Sequence, residues 1–145
     1  MEYSIGQAAK KMGLTVHTLR YYDKEGLLPF VKKSASGLRV FSEEDIDWLV
    51  IIECLKGTGM HLKDIKQYID WCREGDATLG KRLEMFKRQK AKIEEQMAQL
   101  QRHMEKINYK IAYYTEAVAF GSIDILKRNR CLAAEKERIF GPLKK

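Results

Sequence analysis

The side chains best suited to grip a polyanion are gathered between residues 17 and 39. His17, Thr18, Arg20 and Tyr21 fall within little more than one helical turn, and no carboxylate stands among them before Asp23. Arg20 can donate two bonds to a guanine edge or a phosphate, and the hydroxyls of Thr18 and Tyr21 can donate to phosphate oxygens. Lys32, Lys33 and Arg39 add three cations a few residues further on, and Lys63 supplies another in a later helix. This is chemistry for holding duplex nucleic acid. It is poor chemistry for an enzyme, because no nucleophile with its base, paired carboxylates or phosphate-cradling glycine loop stands at usable spacing. His17, His61 and His103 make no set at metal-ligand spacing with the cysteines, so neither a metal site nor a cofactor is expected.

Cys54 is the other side chain with chemistry of its own. The chain has three cysteines, an odd number set far apart, which fits free thiols in a reducing compartment better than a disulfide framework. Cys54 lies late in a helix, two residues before Lys56, whose charge would favour the thiolate. Two readings stay open: a thiol that is alkylated or oxidised, or a small buried hydrophobe. Cys72 reads as core, and Cys131 receives no role.

The elements that position the cationic cluster can be read locally. Ser4 and Gln7 form a capping box that starts a first helix with Ala8, Ala9 and Met12 inward, and Gly13 stops it. Thr15 caps a second helix whose inner face carries Val16, Leu19 and Tyr22, and Gly26 ends it. Two short helices joined by a tight turn, the second with basic and hydrogen-bonding side chains outward, predict a helix-turn-helix. The alternative is a plain structural pair of helices. Residues 30–33 and 38–41 predict a β-hairpin with a cationic tip, which beside a recognition helix makes a wing whose Lys32, Lys33 and Arg39 meet phosphates. Ser42 and Asp45 start a third helix, with Trp48, Leu49, Ile51, Ile52 and Leu55 assigned to its core face. A fourth begins at His61 and turns Ile65, Tyr68, Ile69 and Cys72 inward. Residues 75–78 serve as a hinge.

From residue 79 to 118 the spacing of Leu79, Leu83, Phe86, Lys90, Ile93, Met97, Leu100, Met104, Ile107, Ile111, Tyr114 and Val118 alternates four and three. Lys90 is the one polar member. An uninterrupted heptad seam predicts one long helix that pairs with another helix, as in a dimeric coiled coil. After a break at residues 120–122, residues 123–140 predict a further helix with Lys127, Arg128 and Arg130 outward. It is expected to fold back onto the long one. The expected organisation is a DNA-binding domain over residues 1–75, a dimerisation helix over 76–119 and a tail over 120–145. The fold class is mainly α.

The formal charge of +7 is unevenly spread: residues 1–41 hold seven basic and three acidic side chains, residues 42–78 four and nine. A basic surplus suits a nucleic acid or an anionic membrane. No apolar run approaches about 18 residues and the N-terminus does not read as a signal peptide, so a cytoplasmic protein without a membrane partner is expected.

Residues 5–9 (Ile-Gly-Gln-Ala-Ala), 18–28 (Thr-Leu-Arg-Tyr-Tyr-Asp-Lys-Glu-Gly-Leu-Leu), 37–41 (Gly-Leu-Arg-Val-Phe) and 59–65 with their Gly-Met and Leu-Lys-Asp-Ile resemble the MerR family of bacterial transcription regulators. The resemblance implies a winged helix-turn-helix and an antiparallel coiled-coil homodimer on a near-palindromic promoter. It also implies that the activated dimer bends and untwists an overlong promoter spacer so that RNA polymerase engages both promoter elements. By that pattern Arg20 and Tyr21 contact DNA from the recognition helix and Arg39 from the wing. Leu38, Phe41 and His61 depart from the family's usual tyrosines and capping serine.

Metal-sensing members place a thiolate near the start of the long helix, where this chain has Ala77, Thr78 and Leu79. Drug-sensing members carry a large ligand domain, which the 26 residues after Ala119 are not expected to replace. Some aldehyde- or nitrosative-stress sensors that this chain resembles carry a single cysteine in the third helix, which keeps the thiol-sensor reading of Cys54 open beside the buried one. A structural coiled-coil adaptor without sequence-specific DNA binding is the alternative. It leaves the recognition helix and basic wing unexplained.

Overall fold

The computed structural model describes residues 1–124, 126 and 130–141, without the side chains of residues 130 and 131. Contacts gather the chain into two units, residues 1–89 and 90–145.

The first unit is built from short helices and a small sheet. Its order is β1 (Tyr3–Ser4), α1 (Ile5–Met12), α2 (Val16–Lys24), β2 (Lys32–Lys33), β3 (Arg39–Phe41), α3 (Glu43–Gly57) and α4 (Leu62–Glu74), then a single 3-10 turn (Asp76–Thr78) leading into α5 (Leu79–Phe120). Both capping boxes form as the sequence predicts. Ser4 and Gln7 exchange side-chain-to-backbone bonds at 2.9 and 3.2 Å, and Ser42 and Asp45 at 2.8 and 3.2 Å. Thr15 caps α2 by accepting from the amide of Thr18 at 3.1 Å. Gly26 follows α2 at a φ of 77°, a left-handed conformation that favours glycine; the nearest obstacle to a Cβ there is the flexible end of Lys66, which can swing aside.

The predicted hairpin is the edge of a three-stranded antiparallel sheet ordered β1-β3-β2, with Tyr3 opposite Phe41 and Lys33 opposite Arg39. The third strand removes the weakness of an isolated two-stranded hairpin. Tyr3 fixes the strand to the helices: its hydroxyl donates to Glu43 and accepts from Lys11 Nζ at 3.0 Å, while Lys11 and Glu43 form an ion pair at 3.5 Å. The hydrogen bond from Tyr3 lowers the pKa of the Glu43 carboxyl below its ordinary value.

The core of this unit joins Ala8, Ala9, Leu19, Tyr22, Leu27, Leu28, Phe41, Leu49, Ile52, Ile65 and Ile69, closed from the α5 side by Met85. Ile51, expected in that core, is exposed instead, as are Val50 and Cys54. The reason is that α3 is apolar on more than one face, so periodicity does not choose its inner side. A file of aromatic rings runs through the unit. Phe30 stacks on Trp48 with centroids 5.6 Å apart, Trp48 tilts against Tyr68 at 6.5 Å, and Tyr68 meets Phe86 of α5 edge-on at 5.2 Å.

The 75–78 segment is a fixed corner. Gly75 takes φ 92° and ψ −155°, a conformation reserved for glycine. Thr78 is buried, and its hydroxyl donates to the carbonyls of Trp71 at 2.6 Å and Gly75 at 2.8 Å. Arg82 closes the corner, donating from Nε to Thr78 Oγ1 at 3.1 Å and from Nη2 to the Gly75 carbonyl at 2.8 Å. Its Nη1 stands 3.8 Å from Cys72 Sγ, so Cys72 is a half-buried partner of this network and not the core residue expected.

In the second unit the tail helix α6 (Arg130–Phe140) folds back on α5. Tyr109, Ala117, Leu126 and Leu132 are buried together with Tyr113 and Ile139 beside them, and Phe140 meets Tyr109 edge-on at 5.5 Å. The expectations for Lys127, Arg128, Arg130 and Cys131 lie outside the described residues and side chains. Among the described residues no helix is long and apolar enough to cross a membrane.

Candidate nucleic-acid interface

The recognition helix α2 buries Leu19 and Tyr22 and leaves His17, Arg20, Tyr21 and Lys24 on the outside. Those four stand at helical spacings of three and four, hence on one face. Thr18 is half-buried, its hydroxyl 2.9 Å from that of Thr15. Arg20 forms no hydrogen bond or ion pair among the described residues, so its guanidinium is available for a ligand.

The inner side of α2 is tied down at two consecutive residues. Tyr22 donates from its hydroxyl to Glu53 Oε1 at 2.5 Å and accepts from Lys56 Nζ at 3.0 Å, which fastens α2 to α3. Burial, and then the bond to Glu53, raises the Tyr22 pKa. Lys56 is thereby directed at Tyr22, and its ammonium lies 5.4 Å from the centre of that ring. The Cys54 thiol, two residues before Lys56, is exposed.

Asp23 fastens α2 to the wing. Arg39 donates from Nε to Asp23 Oδ2 at 3.0 Å, approaches Oδ1 with Nη2 at 2.7 Å, and donates from Nη1 to the Val31 carbonyl at 2.8 Å. Arg39 is therefore turned inward, whereas the sequence reading placed it against phosphate. Lys32 and Lys33 are exposed on β2, as expected of phosphate-facing residues. The wing tip is closed by the Ser34 amide donating to the Leu38 carbonyl at 2.7 Å and by Leu38 donating to Ser34 Oγ at 3.2 Å. Lys63 is exposed in the first turn of α4, a helix whose cap His61 makes no side-chain capping bond.

The heptad seam is open along the chain. Leu79, Leu83, Met97, Leu100, Met104, Ile107, Ile111 and Tyr114 are each more than half exposed, and Val118 is 81% exposed. Phe86 is partly covered by Tyr68, and Ile93 is half-buried. Lys90 pairs with Glu94 at 3.7 Å. Among the described residues no three His, Cys, Asp or Glu side chains could together hold a metal ion.

Comparison with known proteins agrees with this layout. Residues 3–71 match the model of the MerR HTH family regulatory proteins, and residues 46–109 match the model described as MerR, DNA binding. An uncharacterized HTH-type transcriptional regulator of Haemophilus influenzae is 44% identical over 85% of this chain and 91% of its own length. This chain belongs to the MerR family. It is a DNA-binding transcription regulator.

Among solved MerR-family structures, HiNmlR, a regulator lacking the sensor domain and captured on promoter DNA, is 43% identical over 86% of this chain and 99% of its own, with a TM-score of 0.70. A MerR-family regulator from Bacillus thuringiensis is 46% identical over 77% of this chain and 98% of its own, with a TM-score of 0.65. The helix-turn-helix, the wing strands and the long helix form where the sequence predicts them, with Lys32 and Lys33 exposed. Sequence reasoning missed the bonds that hold them in place, Asp23 to Arg39 and Tyr22 to Glu53, although Asp23 stood out as the lone carboxylate at the end of the cationic run.

Proposed function

We propose that this MerR-family regulator binds double-stranded promoter DNA as a homodimer and distorts the promoter spacer so that RNA polymerase engages both of its elements. The observation that carries the DNA contact is the pairing of an unengaged Arg20, beside exposed His17 and Tyr21, with a wing whose Lys32 and Lys33 are exposed. Arg20 reads a base edge, Tyr21, Thr18 and His17 hold the backbone, and Lys32, Lys33 and Lys63 neutralise phosphates. That HiNmlR was captured on promoter DNA supports the reading. Residues 1–75 form the DNA-binding domain in this scheme, residues 76–119 the dimer helix and residues 120–145 the tail. The protein acts in the cytoplasm.

The homodimer rests on the open seam. Nine apolar side chains at heptad spacing, each more than half exposed, cannot stay in water along α5, and a second copy of the same seam is the self-complementary cover. The exposed thiol of Cys54 supports a role as the electrophile-responsive group, reached without unfolding α3. Titration of duplex containing the chain's own promoter, against random duplex of the same length and at several salt concentrations, tests the central reading. A log–log salt slope of several units and tighter binding to the promoter are expected. Equal, salt-insensitive binding to both duplexes would favour the adaptor reading.

A further inference from the structure

Arg39 is the cation whose surroundings fit its expected task least. Three of its nitrogens are held inside the protein, by both carboxylate oxygens of Asp23 and by the Val31 carbonyl, and the Arg39 and Asp23 side chains keep only 26% and 30% of their exposure. A phosphate approaching that guanidinium meets a carboxylate already in the bidentate position. We propose that Arg39 is a positioning residue: it fixes the wing to the recognition helix, leaves phosphate contact to Lys32 and Lys33, and cancels the charge of Asp23 on the DNA-facing helix. The inference rests on the DNA-binding reading above and assigns a different role within it.

Three features of the geometry support the assignment. The pair joins the C-terminal turn of α2 to the middle of the sheet, with Val31 on the chain leading into β2, so one guanidinium ties together α2 and both sides of the hairpin. Lys33 stands directly opposite Arg39 in the antiparallel register, where two unpaired cations would repel; Asp23 absorbs one of them. Asp23 also lies three residues after Arg20 on the same helix, within reach of an i,i+3 ion pair. With Arg39 holding Asp23, Arg20 is left for DNA. Without it, the carboxylate both repels phosphate and competes for Arg20.

The test uses Arg39→Gln, Arg39→Lys, Asp23→Asn, the Arg39→Gln/Asp23→Asn double variant, Lys32→Ala and Arg20→Ala in the full chain. Promoter duplex is titrated at several salt concentrations, and amide hydrogen exchange is followed in the unbound protein. Arg39→Gln and Asp23→Asn should each weaken binding about tenfold, the double variant by no more than the worse single one, as expected of two halves of one contact. Arg39→Lys should fail like Arg39→Gln, because an ammonium keeps the charge but not the fork. The salt slope should stay at the native value in all of these and fall by about one in Lys32→Ala. Amides of residues 32–41 should exchange faster in both single variants while those of α1 do not. The proposal is overturned if Asp23→Asn binds as well as the native protein, or if Arg39→Lys restores affinity and Arg39→Gln lowers the salt slope as Lys32→Ala does. Unchanged wing exchange also overturns it, whatever the titrations give. If Lys32→Ala and Arg20→Ala leave binding untouched while wing exchange rises as expected, it is the DNA face that is misassigned and the Arg39 clamp that stands.

Discussion

The ring of Phe86 meets the ring of Tyr68 edge-on, with centroids 5.2 Å apart. Phe86 belongs to the heptad seam of α5, Tyr68 to the half-buried face of α4, and from Tyr68 the aromatic file continues through Trp48 to Phe30 just before β2. A seam residue is thus packed against the unit that carries the wing. Phe86→Leu keeps the seam apolar but removes the ring edge, so the dimer should persist while residues 1–89 lose about 1 kcal/mol. Urea unfolding beside sedimentation separates the two effects. Unchanged unfolding would mean the ring contact carries no stability.

The seam itself should fail to pair when charge is placed in it. Ile93→Asp with Leu100→Asp puts two carboxylates where the partner's apolar side chains must sit, and monomers are expected at concentrations where the native chain is dimeric. Sedimentation equilibrium decides it. A double variant that stays dimeric would move the interface elsewhere.

Arg20 and the wing lysines should divide the DNA energetics. Arg20→Ala is expected to cost about 1–3 kcal/mol on promoter DNA and to narrow the gap to random DNA, whereas Lys33→Ala weakens both alike and flattens the salt slope. Competition titrations of both duplexes at matched salt measure this. An Arg20→Ala variant with native discrimination would remove α2 from base reading.

How much of this could be read from residues alone depended on distance along the chain. The capping boxes at Ser4 and Ser42 were legible because donor and acceptor are three residues apart, and the heptad because its period persists through α5. Tyr22 to Glu53 spans 31 residues and Asp23 to Arg39 spans 16, so those bonds exist only once the fold has formed. Strand β1 has two residues and no period to detect. Ile51 was assigned to the core because α3 offers apolar side chains on several faces. Its exposure follows from Ile46, Leu49 and Ile52 being the apolar residues of α3 that are buried in the core.

Tyr22 sets an alkaline limit on the DNA-binding unit. Burial and the bond to Glu53 raise its folded pKa, so the native state keeps the phenol proton after the unfolded chain has lost it. The resulting stability is fully present below the unfolded tyrosine pKa of about 10 and is lost as pH rises through the folded value. Tyr22→Phe should cost about 1 kcal/mol at pH 8 through the lost hydrogen bonds and then decline less steeply than the native chain above pH 10. Urea unfolding at pH 8, 10 and 11 checks the sign. Parallel declines in the two proteins would show that Tyr22 is not the group involved.

The thiols should react unequally, and the order follows from their surroundings. Cys54 is exposed on α3, in line with Val50 and Ile51 and away from the core, while Cys72 is half-buried beside Arg82. An electrophile reaches Cys54 directly but must displace the Arg82 guanidinium to reach Cys72, so iodoacetamide should label Cys54 first by about an order of magnitude. Exposure also makes Cys54→Ala nearly neutral, within about 0.5 kcal/mol, where a packed cysteine would leave a cavity. Regulation is the separate question. If Cys54 senses electrophiles, Cys54→Ala should bind promoter DNA as tightly as the native protein and lose the transcriptional response to aldehyde, because the proposed mechanism acts on spacer shape and not on occupancy. Residue-by-residue alkylation rates by mass spectrometry, beside transcription from the target promoter with and without aldehyde, measure both halves. A Cys54 that reacts no faster than Cys72, in a protein whose Cys54→Ala variant still responds, would remove this thiol from the signal and leave it as a surface residue of α3.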